Sequence, residues 1–152
     1  MNILLVYATN SGTTMMAAQT MSDVLTKKGH LITMKEARVT SVEDFNASQA
    51  IILGSPSWEF EGRDGMPHED IMSLIEKLKT STFDGKPFAV FGLGDSTFPH
   101  FCGAVTHLEE FITTVKGKLV VPSLKIDKFF NDQTGNTEKI TKWAESLIVA
   151  LG

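Results

Sequence analysis

Cysteine is almost absent from this chain, with Cys102 alone among 152 residues. A single thiol excludes an intramolecular disulfide framework and any zinc or iron–sulfur site built on cysteines, and it fits a reducing compartment. Positive charge is also scarce. With 14 Lys+Arg against 18 Asp+Glu the formal charge is −4, the wrong sign for a general nucleic-acid binder, whose affinity rests on a basic surface. No apolar run approaches the length of a bilayer span, so no membrane attachment is expected. Met1-Asn2-Ile3-Leu4-Leu5-Val6 is apolar, but it is short and has no basic segment ahead of it. It reads as a strand rather than a secretion signal, and the cytoplasm is the expected location.

What is present is an ordinary soluble composition, 42% hydrophobic and 21% charged, in a chain long enough for one domain over residues 1–152 with a buried core. Ile3 to Ala8 is a nearly continuous apolar run without alternation, as expected of a strand covered on both faces. Thr9-Asn10-Ser11-Gly12 breaks it. Ala17, Ala18, Met21, Val24 and Leu25 then fall on one face of a helix over Thr13 to Lys28, stopped by Gly29.

The same β-turn-α unit recurs in type. Leu31 to Lys35 is a second strand, Ser41-Val42-Glu43-Asp44 starts a short helix with a capping box, and Ala50 to Leu53 is a third strand. Gly54 to Pro67 reads as a long loop, followed by a helix carrying Ile71, Leu74, Ile75 and Leu78, and then by the strand Phe88 to Phe91. After the loop Gly92 to Pro99 comes a helix with Val105, Leu108, Ile112 and Val115, closed by Gly117. The last strand begins at Leu119 and is expected to run past Pro122 to Ile126, before a final helix bearing Ile140, Trp143, Ala144, Leu147 and Ile148. Five strands alternating with five helices predict a single parallel sheet with helices on both faces.

In such sheets ligands bind beyond the carboxyl ends of the strands, where strand order reverses. The loops after strands one, three and four are therefore the places to search. The first, Thr9-Asn10-Ser11-Gly12-Thr13-Thr14, sets four hydroxyl side chains and a glycine at the opening of a helix, without Lys or Arg. Helix N-terminal amides and hydroxyls suit a phosphate there, although a plain Ser/Thr N-cap would use the same residues. The second, Gly54-Ser55-Pro56-Ser57-Trp58-Glu59-Phe60-Glu61, sets a Trp and a Phe in a polar loop; the third, Gly92-Leu93-Gly94-Asp95-Ser96-Thr97-Phe98-Pro99-His100-Phe101-Cys102, again combines glycines with aromatics. Either aromatic would be at home packed beneath its own loop. Together with a phosphate cradle, they favour a flat phosphorylated cofactor held between Trp58 and Phe98.

These loops, in this order, resemble those of short-chain flavodoxins over essentially the whole chain. Thr9-Asn10-Ser11-Gly12-Thr13-Thr14 is similar to the family's phosphate loop, Ser/Thr-x-Ser/Thr-Gly-x-Thr. Gly92 to Phe98, continued by Phe101-Cys102-Gly103-Ala104-Val105, resembles its second flavin loop. The roughly twenty-residue insertion of the long-chain branch has no room between Leu119 and Thr134. The resemblance implies a three-layer sandwich with a five-stranded parallel sheet in the order 2-1-3-4-5, and FMN as the cofactor. Thr9, Ser11 and Thr14 would offer hydroxyls, and Asn10, Gly12 and Thr13 backbone amides, to its phosphate. Trp58 would cover the inner face of the ring and Phe98 the outer, with Ser55, Pro56, Ser57, Glu59, Gly92, Leu93, Gly94 and Phe101 in the surrounding loops. The amides of Asp95 and Cys102 would meet the pyrimidine edge.

Two residues depart from the family pattern. Phe98 stands where Tyr is usual, which keeps the stacking face. Glu59 stands where many relatives have the glycine whose peptide turns toward the reduced ring, and a side chain resists a positive φ at a cost on the order of 1 kcal/mol. A less favoured one-electron form is therefore expected, unless Gly62 takes that place.

Glu59, Glu61, Asp64, Glu69 and Asp70, opposed only by Arg63, gather in and after the second loop, and Asp95 joins them from the third. They form either a solvated loop or a docking face for basic redox proteins. Lys116, Lys118, Lys125 and Lys128 collect instead around strand five. His30, His68, His100 and His107 lack metal-site spacing and are read as surface or packing residues, though His68 and His100 stand in or beside the flavin loops.

Other phosphate and nucleotide folds fail on their own motifs. The chain has no Gly-x-Gly-x-x-Gly after strand one and no Gly-Lys-Ser/Thr. A receiver domain needs acidic residues where Thr9-Asn10 and Gly54-Ser55 stand, and a cysteine phosphatase needs an arginine where Leu108 stands. The expectation is a monomeric, low-potential electron carrier working between a reductase and an acceptor protein. The alternatives are an FMN-dependent quinone or NAD(P)H oxidoreductase and a dedicated flavoprotein activator of a radical enzyme.

Overall fold

The computed structural model describes residues 1–152. Five helices and seven strands follow in the order β1 (Asn2–Tyr7), α1 (Thr13–Lys27), β2 (Leu31–Glu36), α2 (Val42–Ala47), β3 (Ala50–Phe60), β4 (Arg63–Pro67), α3 (Glu69–Leu78), β5 (Pro87–Gly94), α4 (Gly103–Thr114), β6 (Lys118–Leu119), β7 (Leu124–Asp127) and α5 (Gln133–Leu151). The parallel sheet runs β2-β1-β3-β5, with β6 and β7 both paired to β5 at its far edge.

The unalternating first strand has the expected cause. Ile3, Leu5 and Tyr7 enter one core with Ala17, Met21 and Leu25 of α1 and Ile140, Trp143 and Leu147 of α5. Leu4, Val6 and Ala8 enter a second core on the other face, with Phe45, Leu74, Leu108 and Ile112 from α2, α3 and α4. Because successive side chains of a strand point to opposite faces, a strand between two helical layers needs apolar residues at every position. No helix is long and apolar enough to cross a membrane.

Two expectations about the strands are corrected. Gly54 to Pro67 is not a loop: β3 runs eleven residues to Phe60 and folds back through Glu61 and Gly62, both at positive φ, into antiparallel β4. A two-residue turn with both central residues at positive φ matches the twist of a hairpin. The sheet thus has more strands than the five expected. The last parallel strand, moreover, is broken rather than continuous. β6 pairs with Pro87 and Phe88, β7 with Phe91 to Gly94, and the chain between them carries Pro122, which has no N–H to give a ladder. The Pro122 carbonyl accepts instead from the Trp143 indole N–H at 2.9 Å, tying the break to α5.

Helix ends follow local chemistry. The Asp44 carboxylate accepts from the Ser41 amide at 2.9 Å and from the Lys35 ammonium at 2.9 Å, and these bonds hold its carboxyl below the usual range. At the end of α4 the left-handed residue is Lys116, not Gly117. The Gly117 amide returns to the Ile112 carbonyl at 2.9 Å and the Lys116 amide to Thr113 at 3.1 Å, a Schellman closure.

Gly54 marks the switch point, where β3 passes between β1 and β5. A Cβ there would fall inside the ring of Phe91, which is fully buried. Gly54→Ala is expected to destabilise the protein by about 1–3 kcal/mol through overpacking, measured as a lowered urea midpoint with an unchanged slope.

Candidate functional site

Strand order reverses between β1 and β3, and the segments leaving β1, β3, β5 and β7 converge above that point. The first of these opens α1 in an unusual way. Gly12 occupies the N-cap position at φ 89°, and no side chain caps the helix. The hydroxyl of Thr9 accepts the Gly12 amide at 2.9 Å, and those of Ser11 and Thr13 lie 3.3 Å apart. The Ser/Thr N-cap alternative is therefore not what this segment builds. Thr14 is 1% exposed and its hydroxyl has no partner. Helical threonines elsewhere in the chain do not behave this way: those of Thr20, Thr137 and Thr141 bond the carbonyl four residues back. A buried hydroxyl without a partner costs roughly 1–3 kcal/mol, and a ligand oxygen at this point would remove that cost. Uncapped amides with the positive end of the helix dipole suit an anion there.

Two adjoining cavities continue from this point. One, of about 320 Å³, is lined by Ser57, Trp58, Glu59, Asp64, Asp95, Phe98, Pro99, His100 and Cys102. The other, of about 300 Å³, lies among Thr13, Pro56, Ser57, Leu93, Gly94, Asp95 and the turn Lys128 to Asn131. Their sizes are nearly equal, but the first, with Trp58 and Phe98 among its walls, suits a flat ring. A larger hollow of about 640 Å³ along the exposed side of α5 has no hydrophobic lining and lies on one helix face only, so it offers nothing to grip a flat ligand.

Trp58 and Phe98 meet across the first cavity, but in different settings. The Trp58 indole stacks on the His68 imidazole, centroids 5.2 Å apart and planes at 22°, and its buried N–H has no partner. Phe98 is 58% exposed at the rim, in contact with solvent rather than packed beneath its loop. Glu59 stands at the irregular step of the β3–β4 pairing, exposed and with φ outside the left-handed region, whereas Gly62 is at the hairpin tip and lines neither cavity.

The third segment is built by short bonds around carboxylates. Asp95 accepts from the Thr97 hydroxyl at 2.6 Å and its amide at 2.9 Å, and Asp127 accepts from the Ser96 hydroxyl at 2.7 Å and its amide at 2.8 Å. Asp64, on the hairpin, accepts the His100 amide at 3.0 Å and so ties the two walls of the cavity together. In each case the hydrogen bonds keep the carboxyl below its ordinary range: those from Thr97, from Ser96 and from the His100 amide respectively. The rim is therefore ionised at neutral pH. Lys128, grouped by sequence with the distant lysines, reaches to 4.0 Å from Asp95 and lines the second cavity.

Of the expected site residues, Ser55, Gly92 and Phe101 line neither cavity and lie behind the walls. Ser55 is fully buried, donating to the Pro56 carbonyl at 2.8 Å and accepting the His68 amide at 2.9 Å. Gly92 is needed against Val105, Phe101 packs on the α3–α4 core, and the Cys102 thiol points into that core against the Gly92 carbonyl at 3.6 Å. The Ser57 hydroxyl accepts the Ala104 amide at 2.9 Å and so joins β3 to α4. The amides of Asp95 and Cys102 find no acceptor within the protein. The sequence set Pro99 and His100 in the third loop and Asp64 in the acidic cluster without assigning any of them to the ligand, did not single out the Lys128 to Asn131 turn, and read His68 as a surface or packing residue beside the loops. The Pro67-His68-Glu69-Asp70 helix start was the one visible signal for the last.

The family model for flavodoxin matches residues 5–143. The flavodoxin of Nitratidesulfovibrio vulgaris Miyazaki F is 30% identical over 99% of both chains. Among solved structures, oxidised flavodoxin 2 of Bacillus cereus superposes with a TM-score of 0.85 at 31% identity, covering 95% of each chain. A Fusobacterium nucleatum flavodoxin bound to flavin mononucleotide matches in fold, with a TM-score of 0.82 at 20% identity over 96% of each chain. With its sheet order, its uncapped first helix and its aromatic-lined cavity, this chain belongs to the flavodoxin family.

Burial pushes the Cys102 thiol up to about 11. A thiol harder to ionise folded than unfolded adds stability that is complete below its ordinary value near 9 and lost as pH rises toward 11. Wild-type stability is expected to fall across that window and Cys102→Ala to flatten the fall, read by urea denaturation at stepped pH.

Proposed function

We propose that this protein is an electron carrier that holds FMN non-covalently in the two cavities and at the α1 N-terminus. The observation that carries the reading is the Thr14 hydroxyl, buried and unpartnered beside a helix start that no side chain caps. The fit extends along the molecule. Thr9, Ser11 and Thr14 hydroxyls and the amides of Asn10 and Thr13 hold the phosphate without any cation in that loop; the Gly12 amide, expected to join them, bonds the Thr9 hydroxyl and leaves that hydroxyl's own hydrogen for the phosphate. Pro56, Ser57, Leu93 and Gly94 border the sugar-like chain. Trp58 covers the inner face of the ring and Phe98 the outer, and the free amides of Asp95 and Cys102 bond its polar edge.

When bound, FMN supplies a ring that takes up and gives back electrons singly or in pairs. The protein's residues set the terms. Trp58 and Phe98 exclude water from the ring faces. Glu59, Asp64 and Asp95 surround the site with negative charge, which opposes the build-up of further negative charge there and lowers the potential of the more reduced state. Lys128 offsets Asp95 from the other cavity. Glu59, in extended backbone, does not give its peptide the freedom a glycine would, and Glu59→Gly is expected to widen the separation between the two one-electron potentials in a redox titration.

The same carboxylates and the exposed Phe98 form the face on which a basic reductase and a basic acceptor dock in turn, with rates that fall as salt rises. The protein works as a monomer and as one domain. An FMN-dependent reductase would oxidise NAD(P)H unaided, whereas a carrier turns over only when a separate reductase is added, and steady-state assays with and without one separate the two.

Thr14→Val tests the cofactor reading at its strongest point. Loss of one hydrogen bond to a charged phosphate is worth about 1.5–3 kcal/mol, or roughly 10- to 150-fold in affinity. FMN binding is expected to weaken on that scale, with riboflavin binding unchanged and the apoprotein no less stable. Flavin fluorescence quenching and thermal melting measure the three quantities.

A further inference from the structure

We propose that His68 is a positioning residue that couples the phosphate loop to the aromatic wall of the ring cavity. The inference rests on the FMN reading above and assigns a role to a side chain that reading does not use.

His68 is the N-cap of α3 and only 5% exposed. An N-cap needs no more than one acceptor, and Ser, Thr, Asp or Asn supplies it at less cost than a buried imidazole. This ring is engaged on every side. Its Nδ1 accepts the Asp70 amide at 3.0 Å, and since an amide only donates, the ring proton is on Nε2. That Nε2–H donates to the Asn10 side-chain carbonyl at 2.9 Å, across 58 residues of chain. The ring face lies against Trp58. The backbone amide bonds the Ser55 hydroxyl, which fixes the start of α3 to β3.

One rigid ring therefore touches Asn10 from the first segment and Trp58 from the second. These two residues belong to the ends of the site that take different parts of the ligand, phosphate and ring. The Asn10 side chain is engaged by His68, and that bond holds the peptide between Thr9 and Ser11, the stretch from which the reading above offers the Asn10 amide and the Thr9 and Ser11 hydroxyls to the phosphate. A shift of the phosphate loop then moves the surface on which Trp58 rests, and the reverse.

The titration of FMN and of riboflavin into the apoproteins of wild type, His68→Phe, Asn10→Ala and the double variant tests this. Phe keeps an aromatic ring against Trp58 and removes the donor to Asn10; Ala removes the acceptor and leaves the loop backbone in place. In both single variants the preference for FMN over riboflavin is expected to fall about tenfold, with riboflavin affinity itself held within about twofold. The double variant should lose no more than either single one, because both break the same bond. Equal losses of FMN and riboflavin would assign His68 a purely structural role and overturn the proposal, as would an unchanged preference or losses that add. If His68→Phe fails to fold, Asn10→Ala decides alone by the same criteria. A wild-type apoprotein that binds neither flavin removes the FMN reading itself, an outcome distinct from all of these.

Discussion

The first helix starts without a cap, and much of the site follows from that. Gly12 takes a left-handed backbone where a serine or threonine would normally close the helix, so the first amides of α1 and the Thr14 hydroxyl remain unspent at the carboxyl end of β1. An N-terminal side-chain cap is typically worth about 1 kcal/mol, and an orphaned buried hydroxyl adds to the deficit. A protein selected for stability alone would fill both positions. In the reading proposed above the missing partner is an anion, whose binding energy would restore what the helix lacks.

The rest of the fold brings a ring-sized space to the same place. Because β1 and β3 are neighbours while the chain winds in opposite senses from them, the segments leaving β1, β3 and β5 rise side by side. The β3–β4 hairpin lifts Trp58 and Glu59 above the sheet and is held there by Asp64, which accepts the His100 amide from the opposite wall. Carboxylates fixed by hydrogen bonds at Asp64, Asp95 and Asp127 keep their charge at neutral pH, so the rim presents a permanent negative field with Lys128 set into it. That field opposes further negative charge on whatever sits inside, and in the proposed reading it is the face that basic partners would meet.

Local sequence patterns made much of this legible. Apolar runs and helical stripes gave five βα units, because a strand buried on two faces and a helix buried on one leave distinct periodicities. The hydroxyl-rich turn and the glycine–aromatic segment marked the candidate site for the same local reason. What escaped depends on contacts between distant residues. Gly, Pro and charge in Gly54 to Pro67 read as a loop because pairing of β4 with β3 supplies the order that composition does not. Pro122 was expected to bend a strand and instead broke it, with Trp143 arriving from α5 to take its carbonyl. His68 carried no spacing signal, since its partners Asn10 and Trp58 stand 58 and ten residues earlier in the chain. The Lys128 to Asn131 turn lines a cavity only because β7 ends beside β5.

An experimental structure of the protein grown with FMN tests the central claim most directly. The account predicts a phosphate at the α1 N-terminus accepting a hydrogen bond from the Thr14 hydroxyl, with the ring between Trp58 and Phe98. A bound FMN whose phosphate lies elsewhere, leaving Thr14 unpartnered, would contradict it.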